Sequence, residues 1–191
     1  MYDFYGKLAF NNKENECTKT TDGRTVWLSR SCAVVGIIAV DNKVLMVKRG
    51  LGCPDEVGKW VLPCGYLDYD ETLQDAIIRE VYEETGFNLV AINTWLLLEG
   101  NQQHQLAPQP FFTRSEPRAD GKQNVSHYFR VIGTTSGWNT GLLALPAPSP
   151  DKIGTDECED VAWLHLSDIE LLNSEGKIGF KHYEVLRNNF K

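Results

Sequence analysis

Between Cys32 and Val40 the chain reads CAVVGIIAV, and after Asp41-Asn42 it continues KVLMVKR. Two β-branched runs around a turn dipeptide predict a hairpin, and the unbroken apolar character of the first run predicts a strand buried on both faces. The loop GLGCPDEVGK leads into WVLPCGYL, which predicts a short strand ending in a turn. From Glu71 to Thr85 there is neither Pro nor Gly. At about 100° per residue, Leu73, Ile77 and Val81 share one side with Ala76 at its border, the pattern of an amphipathic helix. Asp70 is the expected N-cap and Gly86 the stop.

Farther on, NLVAINTWLLLEG, VSHYFRVIG and DVAWLHL predict three strands. SDIELL and GFKHYEVLRNNF predict C-terminal helices starting near Ser167 and Gly179. Strands dominate, with one helix inserted early, so the expectation is a mixed sheet with helices on its faces rather than regular βαβ alternation. Residues 1–25 are polar and weakly periodic, an N-terminal extension whose Asp22-Gly23 turn leads toward a short strand. Residues 26–191 form the expected domain, with two connections, 101–124 and 134–159, beyond ordinary loop length.

The helix 71–85 carries an oddity. Glu80 and Glu84 fall on the same side as its apolar residues, with Glu83 at the edge. A buried unpaired carboxylate is costly, so packing alone would place these charges on the opposite face. Two readings stand: a solvated acidic helix end paired with Arg79, or carboxylates gathered on one helical surface around a divalent cation.

Composition narrows the classes. The chain has 191 residues, 42% hydrophobic and 24% charged, enough for one substantial core. A net charge of −7 argues against a general binder of nucleic-acid backbone. With no charged leader before a long apolar run and no membrane-length apolar segment, the expected location is cytoplasmic. Five scattered cysteines, Cys17, Cys32, Cys53, Cys64 and Cys158, show neither zinc-site nor disulfide spacing, so reduced thiols are expected, Cys64 as a small buried thiol rather than a nucleophile.

Read as a spacing pattern, Gly65 is followed after five residues by Glu71, and after seven more by Arg79-Glu80-Val81-Tyr82-Glu83-Glu84-Thr85-Gly86-Phe87. This resembles the signature of the Nudix hydrolases at each of its defined positions, most strongly across residues 33–100. The resemblance implies an α/β/α sandwich with a mixed β-sheet, a catalytic loop-helix and C-terminal helices. It implies a hydrolase that cleaves a nucleoside diphosphate linked to another moiety, with Mg2+ or Mn2+ as cofactor. Such chemistry needs cations to offset pyrophosphate charge, and carboxylates suit hard cations. On the resemblance, Glu80, Glu83 and Glu84 bind metal with the Gly65 carbonyl, while Arg79 and Glu71 orient the cluster. The proton-accepting base is left between Glu80 and Glu157. The latter lies in the loop entering the last strand, where some Nudix enzymes place such a carboxylate, although DECED also reads as a solvated charge run.

The expected partner is a small-molecule nucleotide, with no nucleic-acid polymer and no membrane, and a homodimer is left open. ADP-ribose, a dinucleotide or a nucleotide sugar leads. The alternatives are a house-cleaning nucleoside triphosphate pyrophosphatase and a Nudix-like module that binds a nucleotide without cleaving it. Phe111 and Phe112 are expected to pack rather than stack on a base, Trp138 has a somewhat better claim to a ligand, and His104 and His127 are expected to be a surface and a strand residue.

Overall fold

The computed structural model describes residues 16–28, 30–89, 110–116, 123–133 and 156–189. They fall into two compact units, Met1–Ser31 and Cys32–Lys191. In the first, β1 (Glu16–Lys19) and β2 (Thr25–Leu28) pair antiparallel. Their turn is closed by Thr20 Oγ1 and Arg24 Nε on the Asp22 carboxylate, with Gly23 at φ +84°.

The second unit is built on a sheet. The apolar run becomes β3 (Ser31–Val40), and KVLMVKR becomes β4 (Lys43–Arg49), joined through Asp41 at φ +51°. Around this hairpin lie β5 (Trp60–Val61), β6 (Cys64–Tyr66), β7 (Phe112–Arg114), β8 (Asn124–Gly133) and β9 (Cys158–His165). The strand order is β5-β4-β3-β8-β7, with β6 also on β3 and β9 also on β4. Strand alternation divides the core into two layers. Val34 and Ile38 of β3, Leu45 of β4 and Phe129 of β8 meet α1 (Leu73–Thr85). Val35, Ile37, Val44, Met46 and Tyr128 point the other way, to α2 (Leu166–Ser174) and α3 (His182–Asn189). The result is an α/β sandwich around a mixed sheet, as expected from the resemblance.

Helix α1 lies flat on the sheet because Gly36 has no side chain. A Cβ there would stand 3.2 Å from both Ile77 Cδ1 and Val81 Cγ2. Ile77 and Val81 are fully buried, each burial contributing about 2 kcal/mol. The stop is as expected: Gly86 takes φ +70° and donates to the Tyr82 carbonyl. The start is not. Asp70 sits in a turn at φ +67°, which cannot present an extended cap. Thr72 is extended and caps instead, accepting from Asp75 N–H at 3.1 Å in a reciprocal box with the Asp75 carboxylate.

Three further expectations change. The connection 101–124 contains β7, a three-residue strand made by antiparallel pairing with β8. Phe111 packs on the core as expected, under Arg130 at 5.0 Å, while Phe112 is partly exposed beside Tyr128. GFKHYEVLRNNF is helical only from His182, since Phe180 and Lys181 both take left-handed backbone. His127 is a strand residue, hydrogen-bonded to Thr113. The strand expected after Gly86 is not formed at Asn88 and Leu89, and its remainder, His104, Trp138 and most of 134–159 lie outside the described residues.

Candidate active site

One guanidinium organises the acidic face of α1. Arg79 donates from Nε and Nη2 to the two oxygens of Glu71 (3.1 and 2.6 Å), and from Nη1 to Glu80 Oε1 (2.7 Å) and Glu83 Oε2 (3.3 Å). Its Nη2 also reaches the Tyr66 carbonyl at 3.0 Å, fastening the helix to β6. The bidentate pair with Glu71 raises the Arg79 pKa further above its ordinary range, and Arg79 in return holds the Glu71 carboxyl below its ordinary value. Glu80 is only 7% exposed, an uncommon state for a carboxylate, and its bond to Arg79 is what makes that burial tolerable. Gly65 supplies the space: a Cβ at that position would overlap the Glu80 carboxylate.

Glu84, one turn on, accepts from the Cys64 backbone N–H at 2.9 Å. Burial, and then Glu84 itself, push the Cys64 thiol well above its ordinary pKa. That direction fits the thiol expected at this position better than a nucleophile.

Glu157 reaches the same cleft from the other end of the sequence. Its carbonyl accepts from Gly50 N–H (2.9 Å) and Cys53 Sγ (3.1 Å), and Gly52 N–H donates to Asp156 (2.8 Å). Gly50 lies so close to the Asp156 carbonyl that no side chain would fit. The β4–β9 register shifts between Lys48 and Arg49, where Glu159 is passed over, and Asp156 and Glu157 lie just before β9 begins.

Gly65, Arg79, Glu80, Glu83, Glu84 and Glu157 border a cleft of about 980 Å³, with Glu71 behind Arg79 and not in the lining. A second group also lines it and escaped the sequence reading: Arg49, Arg114, Tyr128, Phe180, Lys181 and His182. They come from β4, β7, β8, the turn before α3 and the first residue of α3, with no spacing pattern among them. The only signal was a basic and aromatic tripeptide, Phe-Lys-His, inside a segment read as helix.

The donor chemistry fits a hard divalent cation. Three carboxylates and a side-chain-free carbonyl border one cleft, and hard cations take oxygen ligands. The carboxylates do not form a ready cage, however. Among the described residues no three His, Cys, Asp or Glu side chains are placed to hold a metal ion. Glu80 and Glu83 turn toward Arg79, and Glu84 toward the β6 backbone.

The family model described as NUDIX domain matches residues 30–188. An ADP-ribose pyrophosphatase from Methanocaldococcus jannaschii is 40% identical over 65 residues, 32% of this chain and 35% of that protein. A putative 8-oxo-dGTP diphosphatase from Bacillus subtilis is 30% identical over 96 residues, 49% of this chain and 60% of that protein. Among solved structures, a bifunctional NMN adenylyltransferase/ADP ribose pyrophosphatase from Francisella tularensis, complexed with AMP and a manganese ion, superposes with a TM-score of 0.59 at 26% identity. That match covers 83% of this chain and 40% of the other. The chain thus spans less than two thirds of these relatives' lengths.

Proposed function

This chain belongs to the Nudix family, and from that membership we propose that it hydrolyses the pyrophosphate linkage of a nucleoside diphosphate derivative, ADP-ribose foremost. The observation that carries the reading is the convergence on one cleft of the Arg79-tied carboxylates of α1, the bare Gly65 and the distant Glu157. ADP-ribose leads because two of the similar proteins, from Methanocaldococcus jannaschii and Francisella tularensis, are described as acting on it.

Glu80, Glu83, Glu84 and the Gly65 carbonyl would hold magnesium or manganese. When bound, such an ion offsets pyrophosphate charge and makes water a better nucleophile. Arg79 positions Glu80 and Glu83 through its own bonds, and Glu71 fixes Arg79 from behind. We assign the proton-accepting role to Glu157, because Glu80 Oε1 is committed to Arg79 at 2.7 Å and its carboxylate is wedged against Gly65. The loop holding Glu157 is fixed by backbone bonds to Gly50 and Cys53, and Glu157 lines the cleft.

A competing reading, nucleotide binding without cleavage, draws on the absence of a preformed three-carboxylate cage among the described residues. The deciding experiment offers ADP-ribose, a dinucleotide, a nucleotide sugar and nucleoside triphosphates with magnesium or manganese, and identifies the products. AMP and ribose 5-phosphate from ADP-ribose are expected. Pyrophosphate release from a triphosphate instead would reassign the protein to the triphosphate class, and tight binding with the whole panel intact would make it a binding module.

A further inference from the structure

The chain approaches α3 through a tightly held corner. Ile178 bridges Trp60 in parallel, Trp60 N–H donates to the Lys177 carbonyl, and Gly179 N–H donates to the Trp60 carbonyl, both at 2.9 Å. A Cβ on Gly179 would stand 2.9 Å from Val61 Cγ1, so the corner closes only without one. Phe180 and Lys181 follow at φ +53° and +56°, a left-handed pair that non-glycine residues rarely adopt. This geometry turns His182 inward at the first position of α3.

The ring of His182 is 2% exposed. It lies edge-on to Tyr128 with centroids 6.2 Å apart, and 5.6 Å from Phe180. Its Nδ1 accepts the Leu62 backbone N–H at 2.9 Å. A ring nitrogen that accepts carries no proton, so the neutral imidazole holds its proton on Nε2. The ring is neutral at physiological pH: burial, and then the Arg114 and Arg49 charges, bring its pKa down to about 3.

Among the described residues the ring's only hydrogen-bond partner is on the Nδ1 side. Trp163 Nε1 is the one side-chain nitrogen or oxygen among them that is sealed from solvent without a partner, so Nε2 of His182 is not sealed and opens on the cleft that the ring lines. The Arg114 guanidinium lines the same stretch, bonded to the Phe180 carbonyl (3.4 Å) and to Glu116 (2.6 Å). A fixed neutral N–H presents a donor to the cleft, next to a guanidinium whose charge is already shared with Glu116. That donor suits an oxygen acceptor, and neither a cation nor an apolar group would satisfy it.

We propose that His182 is a substrate-recognition residue whose Nε2–H, beside Arg114, donates to an oxygen of the sugar-phosphate part of the nucleotide derivative. This rests on the reading of the cleft as a nucleotide site and adds a recognition wall to its carboxylate machinery. The left-handed corner at Phe180 and Lys181 aims the donor, and Leu62 fixes its tautomer.

Two substitutions separate recognition from packing. His182→Asn keeps an oxygen acceptor near the Nδ1 position for Leu62 N–H and removes the cleft-side donor. His182→Gln retains an N–H at the reach of Nε2 and loses the Leu62 acceptor. Calorimetric titration of ADP-ribose into the full chain in excess chelator reads binding without turnover, and thermal melts read the fold. His182→Asn is expected to weaken ADP-ribose binding about tenfold or more, the worth of one hydrogen bond to a charged or strongly polar acceptor, while melting close to the parent. His182→Gln is expected to bind within about threefold of the parent and to melt lower. Parent-like affinity in His182→Asn, or no binding of ADP-ribose by the parent, overturns the assignment. Because turnover is not read, a parent that binds ADP-ribose but cleaves nothing with metal sinks the hydrolase reading and leaves His182 standing.

Discussion

Arg79 and His182 answer the same problem in opposite ways. Each sits among buried or half-buried neighbours, and each must avoid leaving a charge uncompensated. Arg79 remains charged and gathers Glu71, Glu80 and Glu83 around itself. His182 gives up its charge, its pKa falling to about 3 from an ordinary value of 6.5. Between those two values the unfolded chain binds a proton that the folded chain refuses. His182 therefore favours the fold fully above pH 6.5, and its contribution is lost as the pH falls from 6.5 toward 3, by up to about 1.4 kcal/mol per pH unit. Denaturant unfolding of the parent and His182→Asn at several pH values between 4.5 and 7.5 tests this, since the carboxylates common to both cancel in the difference. The parent's stability is expected to fall more steeply with acidification; parallel curves would show that the ring is already protonated in the fold. The glutamates on the apolar side of α1 were legible in the sequence because helical spacing alone places them there. Nothing in the spacing showed that a residue a hundred positions later would share their cleft.

Among the elements, α1 shows how a helix is cut to suit a site. Its cap is Thr72, not Asp70, because the preceding turn needs a left-handed residue, and that residue cannot also present an extended cap. Strand β6 lies against β3 with Gly65 opposite Val34, which sets Gly65 under the Glu80 carboxylate. Two substitutions should therefore part company. Thr72→Ala removes the capping box and is expected to cost about 1 kcal/mol in denaturant unfolding while leaving turnover near the parent's. Gly65→Ala displaces the Glu80 carboxylate and is expected to lower kcat by at least about tenfold, roughly 1.4 kcal/mol of barrier, with a smaller loss of stability. Equal effects of the two on turnover would mean that the approach of β6 to α1 serves packing alone. The β3–β4 hairpin, the helix and the final strand were readable from periodicity. Strand β7 was not, since three residues, Phe112–Arg114, carry too little pattern and become a strand only by pairing with β8.

The molecule as a whole sets an acidic helix face within a chain of net charge −7, and Arg79 offsets part of it by pairing with Glu71, Glu80 and Glu83. Metal should add to that compensation. Magnesium is expected to raise the melting temperature of the parent, because a ligand that prefers the folded state stabilises it. Glu84→Gln is expected to shrink that increment and to lower turnover by about a hundredfold or more, with metal-free stability equal or higher as like charges are relieved. Arg79→Gln is expected to lose both activity and metal-free stability, because it strips the shared partner from Glu71, Glu80 and Glu83. Thermal melts with and without magnesium, paired with rates, check all of this. An undiminished magnesium shift and full turnover in Glu84→Gln would reduce the acidic face to a solvated helix end.

Local order along the chain was enough to specify the buried hairpin, the amphipathic helix with its stop at Gly86, and the Gly65-to-Phe87 spacing that carries the family resemblance. Each of these depends on neighbours within a few residues, where side-chain period and backbone preference act directly. The cleft required the folded chain. Glu157 enters it because Gly50 lets the chain before β9 touch the end of β4 and bond to its backbone. His182 enters it because Gly179 closes against Val61 and two left-handed residues turn the chain inward. Contacts of that kind join positions a hundred or more residues apart through packing and backbone hydrogen bonds, and periodicity along the chain carries no record of them.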